Sequence, residues 1–113
     1  MTDRVSSIRN IGPAMEAEFA RAGIATADDL RALGTDAAYA RLLQAGVRPH
    51  FIAYYVIEMG LQGRPWNDCK GKEKEALRRR FDALVAAHFD PRQAELEKAL
   101  DEIGILPRRR PAP

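Results

Sequence analysis

Apolar side chains in this chain recur at helical spacing, and glycines interrupt them at regular intervals. Met15, Phe19 and Ala22 fall at i, i+4 and i+7, one helix face, with Glu16, Glu18 and Arg21 off it. Pro13 sits at a first helical position, where its missing N–H costs nothing. A helix is therefore predicted from Pro13 to Ala22, stopped by a left-handed Gly23 with Ile24 folding back over its end. Thr26 with Asp29 three residues on has the form of a capping box and predicts a short helix ending near Leu33-Gly34. Thr35 is expected to cap a third helix, which carries Tyr39, Leu42 and Leu43 on one stripe and stops at Gly46.

Arg48-Pro49 opens a fourth helix, apolar on nearly every side from Phe51 to Leu61, a pattern that belongs in the middle of a domain. Of the adjacent Tyr54 and Tyr55, at least one hydroxyl is expected to reach a partner or water. "GRPWND" is a turn, with Asp68 the expected cap of a long helix whose Leu77, Phe81, Leu84, Val85 and His88 mark its buried stripe. Asp90-Pro91 starts a last helix carrying Leu96, Ala99, Leu100 and Ile103. No segment alternates as a strand does. The prediction is an all-α, compact bundle of five to six helices, with a helical domain over residues 1–88, an additional C-terminal helix packed on it over 89–106, and a disordered basic tail over 107–113.

Composition narrows the class. A chain of 113 residues makes one domain large enough to need no disulfide or metal staple. The single cysteine, Cys69, cannot form an intramolecular disulfide and reads as a small, inert residue at a helix terminus. No Cys/His spacing resembles a metal site, and no cofactor is implied. No leader follows Met1, and the apolar run is broken by Glu58 and too short to span a bilayer, so a soluble, cytoplasmic protein without membrane association is expected. The net charge of +2 conceals uneven blocks: residues 64–80 hold seven basic and three acidic side chains, residues 81–106 two and six. Arg78, Arg79 and Arg80 spread around their helix and cannot all face one ligand; Glu75 is placed to pair with Arg79.

Three constellations could carry chemistry. At Asn10-Ile11-Gly12 a helix start offers free N–H groups and about half a positive charge, and glycine admits an oxyanion close to the backbone. The same residues also suffice to start a helix with no ligand, Asn10 serving as the cap. In "GRPWNDCKGK", Trp66 between Arg64 and Lys70 has the makings of a stacking platform; one aromatic makes a poor platform, so Trp66 is expected to close the core instead. His50 and His88 have no carboxylate or nucleophile at informative spacing, and with no Gly-rich nucleotide loop the reading is of a protein that is not an enzyme.

"IRNIGPAMEAEFARAGIATADDLRAL" resembles half of a helix-hairpin-helix module. With "AYARLLQAG" and "YVIEMGLQGRPWND" it resembles the C-terminal domain of the TfoX/Sxy family over about residues 5 to 85. The resemblance implies an all-α fold, helix-hairpin-helix-like in its N-terminal half, and a role in regulating competence genes or, more broadly, transcription and DNA metabolism. Full-length regulators of the family carry a separate N-terminal domain, so a stand-alone module is expected here. The leading functional expectation is a non-enzymatic regulatory module that binds DNA backbone non-specifically, Arg9, Asn10, Gly12, Arg64 and Lys70 forming the site. Its alternative is a protein-interaction module of the same fold without direct nucleic-acid contact. DNA, a protein partner and a second copy of the chain are the partners in question.

Overall fold

Three of the glycine stops foreseen as turns close their helices by the same hydrogen-bond pair. The computed structural model describes residues 3–92 together with 95, 96 and 99. Its elements are α1 (Pro13–Arg21), α2 (Ala27–Gln44), α3 (Phe51–Leu61) and α4 (Gly71–His88), with 3-10 turns at Val5–Ser7 and Trp66–Asp68. After α1 the Gly23 amide donates to the Ala20 carbonyl at 3.1 Å and the Ile24 amide to that of Phe19 at 2.9 Å. Gly23 has φ +85°, the left-handed turn this closure requires. Gly46-Val47 and Gly63-Arg64 repeat the pattern at the ends of α2 and α3. Ile24 is fully buried, as folding back over α1 demands.

The start of α2 has the capping box: the Asp29 amide donates to Thr26 Oγ1 at 3.1 Å, and the Thr26 amide to Asp29 Oδ2 at 3.3 Å. Two separate helices were expected beyond it. At Gly34 the backbone (φ 79°, ψ 171°) leaves the helical range, so α2 consists of two helical segments that meet at a kink, where the break was expected. Thr35 does not cap the second half, since its buried hydroxyl has no partner. Asp68 does not cap α4 either: Lys70 occupies that position, and Asp68 pairs with Arg64. The architecture among the described residues is thus all-helical, with four helical elements of which α2 is kinked at Gly34. The last helix expected from Asp90-Pro91 and the tail at 107–113 lie largely or wholly outside the described residues.

Two parts of one core hold these elements together. In the first, Val5, Ile8 and Ile11 of the lead-in are buried with Phe19, Ile24, Ala27 and Leu30. The Ala27 amide donates to the Asp3 carbonyl at 2.9 Å, and Arg4 forms an isolated antiparallel bridge with Thr26. The lead-in is thereby strapped across the α1–α2 corner. In the second part, Phe81 of α4 meets Tyr39 of α2 and Tyr54 of α3, ring centroids 5.8 Å apart in each case. Such tilted pairs contribute about 0.5–1.5 kcal/mol beyond area burial. Tyr39 donates its hydroxyl to the His50 carbonyl at 3.2 Å and accepts from the His50 amide at 2.9 Å, which fixes the entry into α3.

Tyr54 supplies the hydroxyl partner foreseen for one of the two tyrosines: it donates to Asp36, which also receives Arg80 Nε at 3.1 Å and Nη2 at 2.7 Å. Burial pushes the Asp36 carboxyl up, but the hydrogen bonds from Arg80 and Tyr54 outweigh it and hold the group below its ordinary range. The same junction raises the Tyr54 hydroxyl, through burial first and the Asp36 hydrogen bond second. No Glu75–Arg79 pair forms; Arg78 instead reaches forward to Asp82 at 3.0 Å.

Candidate nucleic-acid interface

The turn before α1 is built from the lead-in outward. The Ile8 amide donates to the Val5 carbonyl, and the Ile11 amide to that of Ile8 at 3.2 Å. Asn10 then takes a left-handed backbone, φ 71°, which asparagine tolerates better than most side chains. Ile11 is buried and anchors the turn, while Gly12 is exposed in an extended conformation as the N-cap of α1. No side chain caps this helix start. Pro13 has no N–H, so the Ala14 and Met15 amides are the unpaired donors of the first turn. Open space surrounds Gly12: a Cβ placed there would meet nothing within 4 Å.

Glu16, in the first turn of α1, points back toward the lead-in. Its Oε2 accepts the Ser6 amide at 2.8 Å and its Oε1 the Arg4 guanidinium at 3.1 Å. The Ser6 hydrogen bond and then Arg4 hold the carboxyl below its ordinary value. Its charge is neutralised on that side.

Asn10 does not cap α1. Its Nδ2 donates to the Arg64 carbonyl at 2.9 Å and the Val56 carbonyl at 3.4 Å, tying the turn to the end of α3. Asn10 therefore meets the Arg64 backbone at this seam, and the Arg9 carbonyl packs against Gly60. The Arg64 guanidinium is committed internally: Nη1 and Nη2 reach Glu73 at 2.8 and 2.9 Å, Nη1 also reaches Gln62 at 2.8 Å, and Nε reaches Asp68 at 3.4 Å. The hydrogen bonds it donates to Glu73 and, after them, to Asp68 raise its proton affinity. A phosphate at Arg64 would have to displace Glu73. Arg9 and Lys70, by contrast, are exposed and have no acidic partner among the described residues. No hydrogen bond links Lys70 to the turn.

Trp66 departs from expectation, being 52% exposed on its 3-10 turn rather than closing the core. His88 is only half-buried, its Nδ1 3.1 Å from Gln44 Nε2, and His50 is exposed. Among the described residues no group of three His, Cys, Asp or Glu side chains could hold a metal, and no helix is long and apolar enough to cross a membrane.

Sequence reasoning missed Gly60. A Cβ there would lie 2.2 Å from the Arg9 carbonyl oxygen, so the turn is seated directly on the backbone of α3. The available signal was a lone glycine among bulky residues inside a helix, a position where glycine otherwise costs about 1 kcal/mol against alanine.

No curated protein and no solved structure matched the chain. The family model for the TfoX C-terminal domain matches residues 1–81, which takes in the lead-in, the Gly12 turn, α1 to α3 and α4 as far as Phe81. By that match the chain belongs to the TfoX C-terminal domain family, a family of competence-related regulatory domains.

Proposed function

We propose that this regulatory domain binds the phosphate backbone of DNA without reading bases, through the open start of α1 in a helix-hairpin-helix-like turn. The observation that carries the reading is the exposed, glycine-capped N-terminus of α1, with no side chain of the protein occupying it. The helix dipole and the Ala14 and Met15 amides favour a phosphate there. Arg9, three residues before Gly12, supplies screening charge and the exposed Lys70 adds to it, while Asn10 and Arg64 position the turn rather than touch the ligand. One such contact gives weak binding, on the order of 10⁻⁴ to 10⁻⁶ M at physiological salt. Useful affinity requires further contacts, a partner or a second copy of the chain.

Gly12→Asp tests the reading directly. With φ −98° and empty space around it, the position accepts a side chain without strain. An aspartate there would cap α1 with its own carboxylate, giving equal or slightly higher melting temperature. Duplex binding in a salt titration is expected to fall at least about tenfold, the equivalent of about 1.4 kcal/mol. Unchanged binding by the variant, or wild-type affinity that does not vary with salt, would reject the mechanism. The rival reading, a protein-interaction surface, draws on exposed Ile52 and Trp66; it requires Gly12→Asp to leave partner capture intact.

A further inference from the structure

The opposite end of α1 holds a second basic feature that the Gly12 turn does not explain. The ends of α1 and α2 come together around an open depression of ≈ 510 Å³ lined by Ala20, Arg21, Gly23, Arg41, Gln44 and Ala45. Arg21 and Arg41 lie in the last turns of their helices. Neither has an acidic partner among the described residues, whereas Arg4, Arg64, Arg78 and Arg80 all do. The Arg41 guanidinium lies beside Gly23, with Nη1 3.9 Å from where a Cβ at that position would stand. Small residues around it leave the two forks accessible.

Complementing the helix ends accounts for one part of this arrangement, since cations favour helix C-termini. Two full positive charges exceed two half charges of opposite sign, and the forked guanidinium suits the paired oxygens of a phosphate. The shape argues for a group on a large ligand: the depression is open, and its lining of small residues does not enclose a small molecule. Its place argues for a polyanion. Nine residues of α1 separate it from the Gly12 turn, about 13 Å at 1.5 Å per residue. Ala14, Ala17 and Arg21 lie exposed on the face between the two ends, with Glu18, partly buried, at its edge. Each strand of a duplex presents one charge per about 3.4 Å of axis, so a backbone laid along α1 supplies charge at both ends.

We propose that the depression between the ends of α1 and α2 is a second phosphate site, in which Arg21 and Arg41 together grip one phosphate group of a nucleic-acid backbone. The choice of nucleic acid rests on the function proposed above; the phosphate chemistry of the pocket does not.

The test combines duplex binding with NMR of the arginine Nε–H signals in the full chain. Arg21→Ala/Arg41→Ala, shown folded by its thermal melt, is expected to bind duplex DNA about fivefold or more weakly at low salt and to lower the slope of log K against log salt by about one. Arg21→Lys/Arg41→Lys, which keeps both charges and loses the forks, is expected to recover part of the affinity. Wild-type binding with no change in the alanine pair overturns this inference and leaves the function at Gly12 standing. A wild-type chain that retains no DNA, while inorganic pyrophosphate shifts the Arg21 and Arg41 signals, rejects the function and supports the pocket as a phosphate site filled by free phosphate. Signals that respond to neither ligand, or to polyglutamate alone, overturn the site.

Discussion

The two ends of α1 are both electropositive, and they become so by different physical means. At the start, the charge comes from the backbone: unpaired amides behind a glycine cap, a property that any helix with an empty first turn would share. At the end, the backbone is closed by the Gly23–Ile24 hydrogen bonds, its carbonyls carry partial negative charge, and only Arg21 and Arg41 reverse the sign. Charge at the start is removed by adding a side chain; charge at the end is removed by taking side chains away. That asymmetry makes the two ends separable in experiment even though one short helix joins them.

The largest expected effect strikes the seat of the first end. Gly60→Ala forces a methyl group to 2.2 Å from the Arg9 carbonyl oxygen, and because the obstacle is backbone rather than a flexible side chain, the turn must lift. A loss of about 2–3 kcal/mol is expected, toward the upper part of the range for overpacking, read from urea unfolding. The start of α1 is expected to lose duplex binding with it, while pyrophosphate still shifts Arg21 and Arg41 in the folded fraction.

A smaller effect is expected at the other end. Gly23→Ala places a side chain at φ +85°, which costs about 1–2 kcal/mol. It also brings a methyl group against Arg41 Nη1. The comparison sharpens if the Arg41 Nε–H signal moves while those of Ala14 and Met15 stay in place. Equal movement at both ends would show that α1 transmits the disturbance, and that the two ends are not separable.

The smallest effect is electrostatic. Glu16 is held below its ordinary value of 4.5, the Ser6 hydrogen bond leading. A depressed carboxylate contributes stability that is fully present above its unfolded value and lost as pH falls through the folded one. Stability from Glu16 is therefore fully present above that ordinary value and fades as pH falls below it. Glu16→Gln should flatten that part of the acid limb, read as urea midpoints between pH 3 and 6.

Local features of this fold were legible from the chain, and long-range ones were not. Gly23 with Ile24 and Thr26 with Asp29 act within six residues, so their residue types carry the geometry with them. The break at Gly34 was legible for the same reason, since a glycine with positive φ interrupts the helix at its own position. Arg64 looked available because its partner Glu73 lies nine residues away, across a turn whose shape the pattern left open. Gly60 and Asn10 depend on contacts between the lead-in and α3, about fifty residues apart, and spacing contains nothing about such contacts. Arg21 and Arg41 are twenty residues apart on different helices, and only the fold brings them to one depression.

Cys69 has a practical consequence. It is 4% exposed at the corner between α3 and α4, and burial first, then Glu73, raises its thiol above the ordinary value. As the chain's sole sulfhydryl, it works as a native clock for opening of that corner. A maleimide or disulfide reagent reacts only in molecules whose α3–α4 junction has sprung loose, so the labelling half-time reports how often that happens without any engineered tag.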